Sequence, residues 1–318
     1  MKKKELLRYL YYTYRIYGFK YLLNRILVHL HIKTDRPELY MWYKNLPSEK
    51  YPEKLKLWYY FRTGRVLDLE NPKTLNEKIQ WLKLYDSTPL KTKLADKYLV
   101  REYIKEKIGE EYLVPLLGIW NSFDEIDFSK LPEQFVLKAN HGSGWNIIVK
   151  NKKYFNKSEA KKKFDLWLHI NYAFISGFEL HYKDIIPKIV AEKYIEEINQ
   201  VYDYKFMCFN GKVAFIWVDS DRFTDHKRTL FNMKWEKLNI KLKYPVAKYD
   251  IPKPYNFRKM LEFAEILSKD FAHARIDFYE IKHKLYFGEI TFTTGSGTEE
   301  PEPYRYAYKW GRLLRLPN

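Results

Sequence analysis

The chain has 318 residues, enough for one large or two medium domains with real cores. Its single cysteine, Cys208, excludes an intrachain disulfide, and no Cys/His spacing fits a structural zinc site. A net charge of +17 calls for an anionic partner, such as nucleic acid, an anionic membrane surface, nucleotide phosphates or an acidic polymer. No finger, aromatic RNA-binding consensus or basic zipper is present, so nucleic acid is not expected. Uncharged apolar runs such as Leu113 to Phe123 are far shorter than the ~20 residues of a membrane helix. The opening Met1-Lys-Lys-Lys-Glu-Leu-Leu lacks the apolar core and cleavage site of a secretion signal, so a cytoplasmic location is expected.

Residues 1 to about 60 read as helical and tyrosine-rich. Lys4, Arg8 and Arg15 share one side of the first helix, opposite Leu6, Leu7, Leu10, Tyr14 and Tyr17; a second helical stretch covers Tyr21 to His31. A basic amphipathic segment of this kind can rest on an anionic membrane, so peripheral contact through residues 1–31 is one expectation, and simple packing with a solvated basic stripe is the other. Thr74 followed by Glu77 is a capping box that opens a helix through about Leu84. Another helix is predicted from Leu90 through Lys107. Strands follow at Leu113 to Trp120, at Phe135-Val-Leu-Lys138-Ala and at Asn146 to Lys150, then a helix over Ser158 to His169. Ile185 to Ile195 leads into a strand, and the strands flanking Asn210-Gly211 form a hairpin. A helix over Phe257 to Lys269 precedes the last hairpin.

Four stretches carry chemistry. The loop His141-Gly142-Ser143-Gly144-Trp145, between strands holding Lys138 and ending at Lys150, suits close approach of backbone N–H groups to a phosphate. It lacks the spacing and following helix of a P-loop. The strand Val190-Ala-Glu192-Lys193-Tyr194-Ile195, followed by Asp203-Tyr-Lys205, can bind a purine along its backbone with a carboxylate near the ribose. Asp219-Ser-Asp221-Arg222 resembles the Asp-x-Asp of metal-dependent glycosyltransferases, and His226, Lys227 and Arg228 beyond it can grip an anion. Finally, Arg275 to Tyr279 and Leu285 to Thr291 read as hairpin strands. With a turn centred on His283, Asp277 lies across from Glu289 and Arg275 across from Thr291. Opposed side chains stand ~5 Å apart, and two carboxylates there repel unless a cation separates them; Mg²⁺ prefers such oxygens.

Taken in order, these pieces resemble the ATP-grasp superfamily, whose fold includes that of D-alanine–D-alanine ligase. More closely, the runs Asn71 to Lys83, Leu137 to Asn146 and Gly288 to Gly297 resemble the TupA-like ATP-grasp family, associated with teichuronopeptide and bacterial surface-polysaccharide biosynthesis. The resemblance implies an α+β ATP-grasp fold in which two α+β subdomains clasp ATP. A helical region at 1–89 would precede subdomains at 90–183 and 184–318. It implies that Lys97, Lys138 and Arg275 meet phosphates, with Arg275 and Lys138 catalytic. Residues 141–145 would close over the phosphates. Glu192 to Ile195 would form the adenine hinge, and Asp203, with Lys205 beside it, the ribose site. Asp277, Glu289 and Thr291 would hold Mg²⁺, although Thr291 stands where relatives usually carry Asn. Asp219, Asp221, Arg222, His226, Lys227 and Arg228 would line the acceptor side, and Gly295, Ser296 and Gly297 would face an acyl phosphate. The implied activity is ATP-dependent joining of a carboxylate, such as a uronic acid in a glycan, to an amine. The alternatives are a glycosyltransferase built on Asp219 and Asp221, and a non-catalytic membrane-associated adaptor of glycan assembly.

Overall fold

A computed structural model describes residues 44–195, 202–222 and 224–317. The two basic helical stretches read at residues 4–17 and 21–31 lie outside the described residues. Contacts divide the chain into units 1–66 and 67–318. In the first, helix α1 (Tyr51–Thr63) has Pro52 in its opening turn, where a missing N–H costs nothing, and closes on Gly64 at φ 73°.

The second unit opens on α2 (Leu75–Tyr85), with both halves of its capping box made. Thr74 Oγ1 accepts from the Glu77 N–H at 3.2 Å, and Glu77 Oε2 accepts from the Thr74 N–H at 2.8 Å. The single helix expected over Leu90 to Lys107 is two, α3 (Pro89–Ala95) and α4 (Val100–Lys107). Asp96 causes the break: its Oδ1 accepts from the N–H groups of Tyr98 at 2.8 Å and Leu99 at 3.2 Å, an arrangement that competes with helix continuation. Lys97 therefore sits in a turn, and its own N–H donates to Asn140 O at 3.2 Å.

The first sheet contains β1 (Leu116–Trp120), β2 (Phe135–Ala139), β3 (Asn146–Val149) and β4 (Ile189–Lys193), in the order β1-β4-β2-β3 and antiparallel throughout. Phe164 of α5 (Lys157–Leu168) joins Phe135, Leu137, Val149, Ile189 and Ala191 in its core. The boundary expected at 183/184 falls in the segment that leads into β4. The strand just after it, β4, hydrogen-bonds between β1 and β2 and so belongs to the first sheet.

The second sheet is built from β5 (Asp203–Phe209), β6 (Lys212–Ser220), β7 (Lys227–Phe231) and β8 (Lys237–Leu238), followed in the chain by β9 (Lys241–Leu242), helix α6 (Phe257–Ser268), β10 (His273–Ile281) and β11 (Lys284–Thr291). Its order is β11-β10-β5-β6-β7-β8, while β9 pairs separately with β12 (Pro301–Glu302) ahead of α7 (Arg305–Leu313). One face is mainly apolar. Phe206, Cys208, Ile216, Val218, Ile276 and Phe278 pack there with Met260, Ala264 and Leu267 of α6 and Ile104 of α4. Cys208 is fully buried, which pushes its thiol up to about 12.

The opposite face is divided. Met207, Phe209, Phe215, Trp217 and Leu230 lie under Leu75, Ile79 and Leu82 of α2 and Trp310 of α7. Two residues along the same strands, which returns the side chain to the same face, come Asp203, Lys205, Asp219, Arg228, Arg275 and Asp277, all buried. The hairpin register also departs from expectation. Arg275 opposes Thr291 and Ile276 opposes Ile290, but Phe278 then opposes Phe287. The left-handed pair Lys282-His283 makes a two-residue turn, so Gly288 and Glu289 together span Asp277 as a β-bulge. Among the described residues no helix is long and apolar enough to cross a membrane.

Gly311 of α7 is where that helix rests on the start of α2. A Cβ there would stand 2.1 Å from Lys73 O and 2.9 Å from the Thr74 carbonyl carbon, both backbone atoms. We expect Gly311→Ala to lower stability by about 1–3 kcal/mol through overpacking. A urea unfolding midpoint equal to wild type would contradict that.

Candidate active site

The charged half of the second sheet is an alternating ladder of ions. Arg222 donates to Asp203; Lys205 Nζ lies 2.7 Å from Asp203 Oδ2 and 2.5 Å from Asp277 Oδ2. Arg275 grips Asp277 with two parallel bonds, Nε to Oδ1 at 2.7 Å and Nη2 to Oδ2 at 2.7 Å. Its Nη2 also reaches Glu289 Oε1 at 2.5 Å. One guanidinium thus draws both hairpin carboxylates together, a fork geometry a lysine could not supply. Burial raises the Asp277 pKa above the usual carboxylate value, and the charges of Arg275 and Lys205 oppose that rise. For Glu289, burial also raises the pKa, but Arg275, Lys205 and Lys97 outweigh it and hold the group to about 2. The Glu289 side chain keeps 47% of its surface exposed, so water screens part of that attraction. Thr291 Oγ1 donates to Glu289 Oε1 at 3.1 Å.

The bulge aims Glu289. A Cβ on Gly288 would lie 3.0 Å from Asp277 O and 3.2 Å from Asp277 Cβ, so a side chain at that position would displace the carboxylate opposite.

Lys97, Lys138 and Glu192 form the facing group. Lys138 donates to Glu192 Oε2, and Arg101 Nη1 lies 3.3 Å from Glu192 Oε1. Lys97 Nζ donates to Gly142 O in the glycine loop. Burial lowers the Lys97 pKa to about 8; Glu289, Asp96 and Glu192 support its charge and Lys138 opposes it. Lys97 thus feels the charge of Glu289 on the hairpin as well as that of Lys138 on β2.

Within the loop, Ser143 and Gly144 are exposed and Gly142 is buried, with Trp145 and Tyr172 where its Cβ would be. The His141 ring is turned inward: Nδ1 lies 3.2 Å from Asn140 Oδ1 and Nε2 lies 3.1 Å from Trp167 O. In the expected hinge, the Lys193 N–H donates to Pro115 O at 2.9 Å; Tyr194 is buried and Ile195 half-buried. Asp203 is 1% exposed, and its Oδ1 has no hydrogen-bond partner among the described residues.

The residues read as an acceptor side are only partly gathered. Asp219 receives Arg228 Nε at 2.7 Å and Nη2 at 3.0 Å, and Arg228 Nη1 reaches Glu299 Oε2 at 2.7 Å. His226 Nε2 is 3.3 Å from Asp219 Oδ1 without hydrogen-bond alignment, and its ring stacks on Tyr244. Asp221 instead accepts from Tyr249, and Lys227 pairs with Asp225. The two aspartates of the Asp-x-Asp motif are thus engaged with different partners. Among the described residues, no three His, Cys, Asp or Glu side chains are grouped to hold a metal.

Gly295, Ser296 and Gly297 form a left-handed turn with φ of 56°, 54° and 64°. Sequence reasoning missed its supports: Gln80, Lys83, Ser176, Glu179 and Thr293, contributed by α2, the 176–179 turn and the loop itself. Arg101 and Tyr172 were also missed. The only signal was that α2 carries one of the three family-like runs.

Residues 77–314 match the family model for TupA-like ATP-grasp proteins. With an α+β architecture that sets Lys138 on one antiparallel sheet and the paired carboxylates on another, the chain is of the ATP-grasp class and belongs to the TupA-like ATP-grasp family. Among solved structures it is similar to D-alanine–D-alanine ligase from Bacillus anthracis in complex with ATP, at 16% identity over 63% of this chain and 54% of that one, with a TM-score of 0.37. L-amino acid ligase from Bacillus licheniformis follows at 14% identity, covering 77% and 56%, with a TM-score of 0.44. D-alanine–D-alanine ligase from Helicobacter pylori stands at 18%, 71% and 60%, with 0.39. The chain thus spans little more than half the length of these proteins. Comparison with curated proteins finds no match.

Because burial brings Lys97 to about 8, its ammonium is lost as pH rises through that value, and with it any attraction for the phosphates that the family resemblance would set beside it. Triphosphate affinity should fall as pH rises above about 8, and Lys97→Arg should carry the fall to higher pH. A titration of nucleotide binding from pH 6.5 to 9.5 measures this; identical profiles for the two proteins would refute it.

Proposed function

We propose that the protein is an ATP-dependent carboxylate–amine ligase working through an acyl phosphate. The observation that carries this reading is the Arg275 guanidinium bridging Asp277 and Glu289, whose charge also acts on Lys97. A substrate carboxylate oxygen would attack the γ-phosphorus, forming a C–O–P linkage as the bond to the β-phosphate oxygen breaks and ADP leaves. The amine nitrogen would then attack the acyl carbon, expelling phosphate and losing a proton. Little covalent chemistry falls to the protein; its work is positioning and charge neutralisation.

In this reading Lys97, Lys138 and Arg275 neutralise phosphate oxygens, and the exposed Ser143-Gly144 loop tip covers them. Asp203 Oδ1, buried and unpartnered among the described residues, accepts a ribose hydroxyl. The donor set fits Mg²⁺: Asp277 and Glu289 present hard oxygens drawn to one guanidinium, with the Thr291 hydroxyl beside them. Two carboxylates completed by water and phosphate are typical for that ion. When bound, the ion would neutralise phosphate charge. The chain's own contribution is to hold the two carboxylates in register through Arg275 and to exclude water from Asp277, which is 1% exposed.

For the substrates, the resemblance to proteins of surface-polysaccharide biosynthesis supports a uronic acid of a glycan or its precursor as the acid. An amino acid or amino alcohol would be the amine. The Asp219–Arg228–Glu299 chain, buried at its first two members, leads from the ionic sheet face towards the 295–297 turn and would set the wall of the acceptor side.

Glu289→Ala should reduce acid- and amine-dependent ADP formation by at least about 100-fold, the scale set by removing one preorganised electrostatic group. Its circular dichroism should be unchanged. Incubation with ATP, Mg²⁺ and pools of uronic acids and amines, with ADP and phosphate as readouts, makes the test. Near-wild-type ATP consumption by Glu289→Ala would overturn the carboxylate assignment.

A further inference from the structure

The run Asn71 to Lys83 has no part in the chemistry above, yet three of its side chains converge on one loop. On α2, Asn76, Gln80 and Lys83 are four and three residues apart and so share a face. Asn76 Nδ2 donates to Glu299 O at 3.1 Å. Gln80 Nε2 donates to Ser296 O at 3.0 Å and Gly297 O at 2.8 Å. Lys83 Nζ donates to Ser296 O at 2.8 Å, Ser296 Oγ at 3.0 Å and Ser176 O at 3.2 Å.

Gln80 and Lys83 are both 0% exposed. An apolar side chain could fill the Lys83 site without the desolvation that an ammonium suffers there, so packing alone does not account for the lysine. What its charge does is visible in its partners. Ser296 is the one non-glycine of the left-handed turn, a conformation that an L side chain resists unless its surroundings impose it. Its hydroxyl accepts from Lys83 and donates to Ser176 O at 2.8 Å. Glu179, 5% exposed and three residues beyond Ser176, accepts from Thr293 Oγ1. Burial raises the Glu179 pKa and the Lys83 charge counters that. A single ammonium thus holds together α2, the 176–179 turn and the loop 293–297.

We propose that Lys83, supported by Gln80 and Asn76, is a positioning residue that locks the loop Thr293 to Glu299 into its left-handed form, and that the transfer step depends on this lock while nucleotide binding does not. The catalytic part of this inference rests on the ligase reading; the structural part does not. In Lys83→Met, hydrogen exchange of the amides at 294–299 should accelerate by at least about 10-fold, as expected for loss of charge-assisted hydrogen bonds. Substrate-dependent kcat for ADP formation should fall by about 10-fold or more, the affinity for a non-hydrolysable ATP analogue should stay within about 3-fold, and Lys83→Arg should restore part of kcat.

Ser296→Gly keeps the backbone conformation while removing the hydroxyl, and serves if Lys83→Met does not fold. It should loosen the same amides to a smaller extent. Unchanged exchange in these variants overturns the lock, and a loosened loop with unchanged kcat overturns its catalytic role. Absence of ADP formation by the wild-type protein with every acid and amine would defeat the ligase reading instead, and the exchange data would still decide the lock.

Discussion

The structure turns on one buried guanidinium. Arg275 sits on a sheet face whose lower half is apolar and covered, where an unpaired ion would be prohibitively costly. It is tolerated because Asp277 and Glu289 occupy its donors, and Asp277 is in turn held by Lys205, Lys205 by Asp203 and Asp203 by Arg222. Three cations and three anions alternate, so the row is neutral in sum while each member depends on its neighbours. Removing one of the buried members, Asp203, Lys205, Arg275 or Asp277, strands a buried charge, an effect of about 3–5 kcal/mol. That interdependence preorganises the carboxylates: in the proposed function they would need little reorganisation on binding a cation and phosphates.

Packing and chemistry share the same face by simple periodicity. Along β5, residues 203, 205, 207 and 209 point one way; the first two are ions and the last two lie in the core under α2 and α7. The change of character between Lys205 and Met207 is the border of the site. The same helix α2 that covers Met207 and Phe215 sends Gln80 and Lys83 into the 295–297 turn, so the element that closes the core also shapes the rim of the candidate active site.

Elements with strong local signals were readable in the sequence. The capping box Thr74/Glu77, the Asn210-Gly211 turn and the strand Phe135 to Ala139 all stand where their chemistry places them. The helix expected to run unbroken through Asp96 was misread because its apolar periodicity continues across the break. Asp96 is engaged from 44 residues away by Asn140 Nδ2, at 2.8 Å, and local pattern cannot report such a contact. Likewise the sequence showed a strand near 189–193 but not its neighbours β1 and β2, because alternation identifies a strand and not its pairing.

By itself the sequence determined which residues have the chemistry for the candidate site: the lysines at 97 and 138, the carboxylates at 277 and 289, the arginine at 275 and the glycine-bearing loops. Hydrophobic alternation also determined that the two carboxylates belong to one hairpin. Only the tertiary structure decided how they meet. A one-residue bulge at Gly288-Glu289, invisible in the pattern, changes the opposition that a regular register would give and lets one guanidinium serve both carboxylates. Likewise, no spacing in the chain could reveal that Lys83 and Ser296, 213 residues apart, share a hydrogen bond. Ion pairs and buried hydrogen bonds are short-range in space and indifferent to sequence separation, so they become legible only once the sheets have folded.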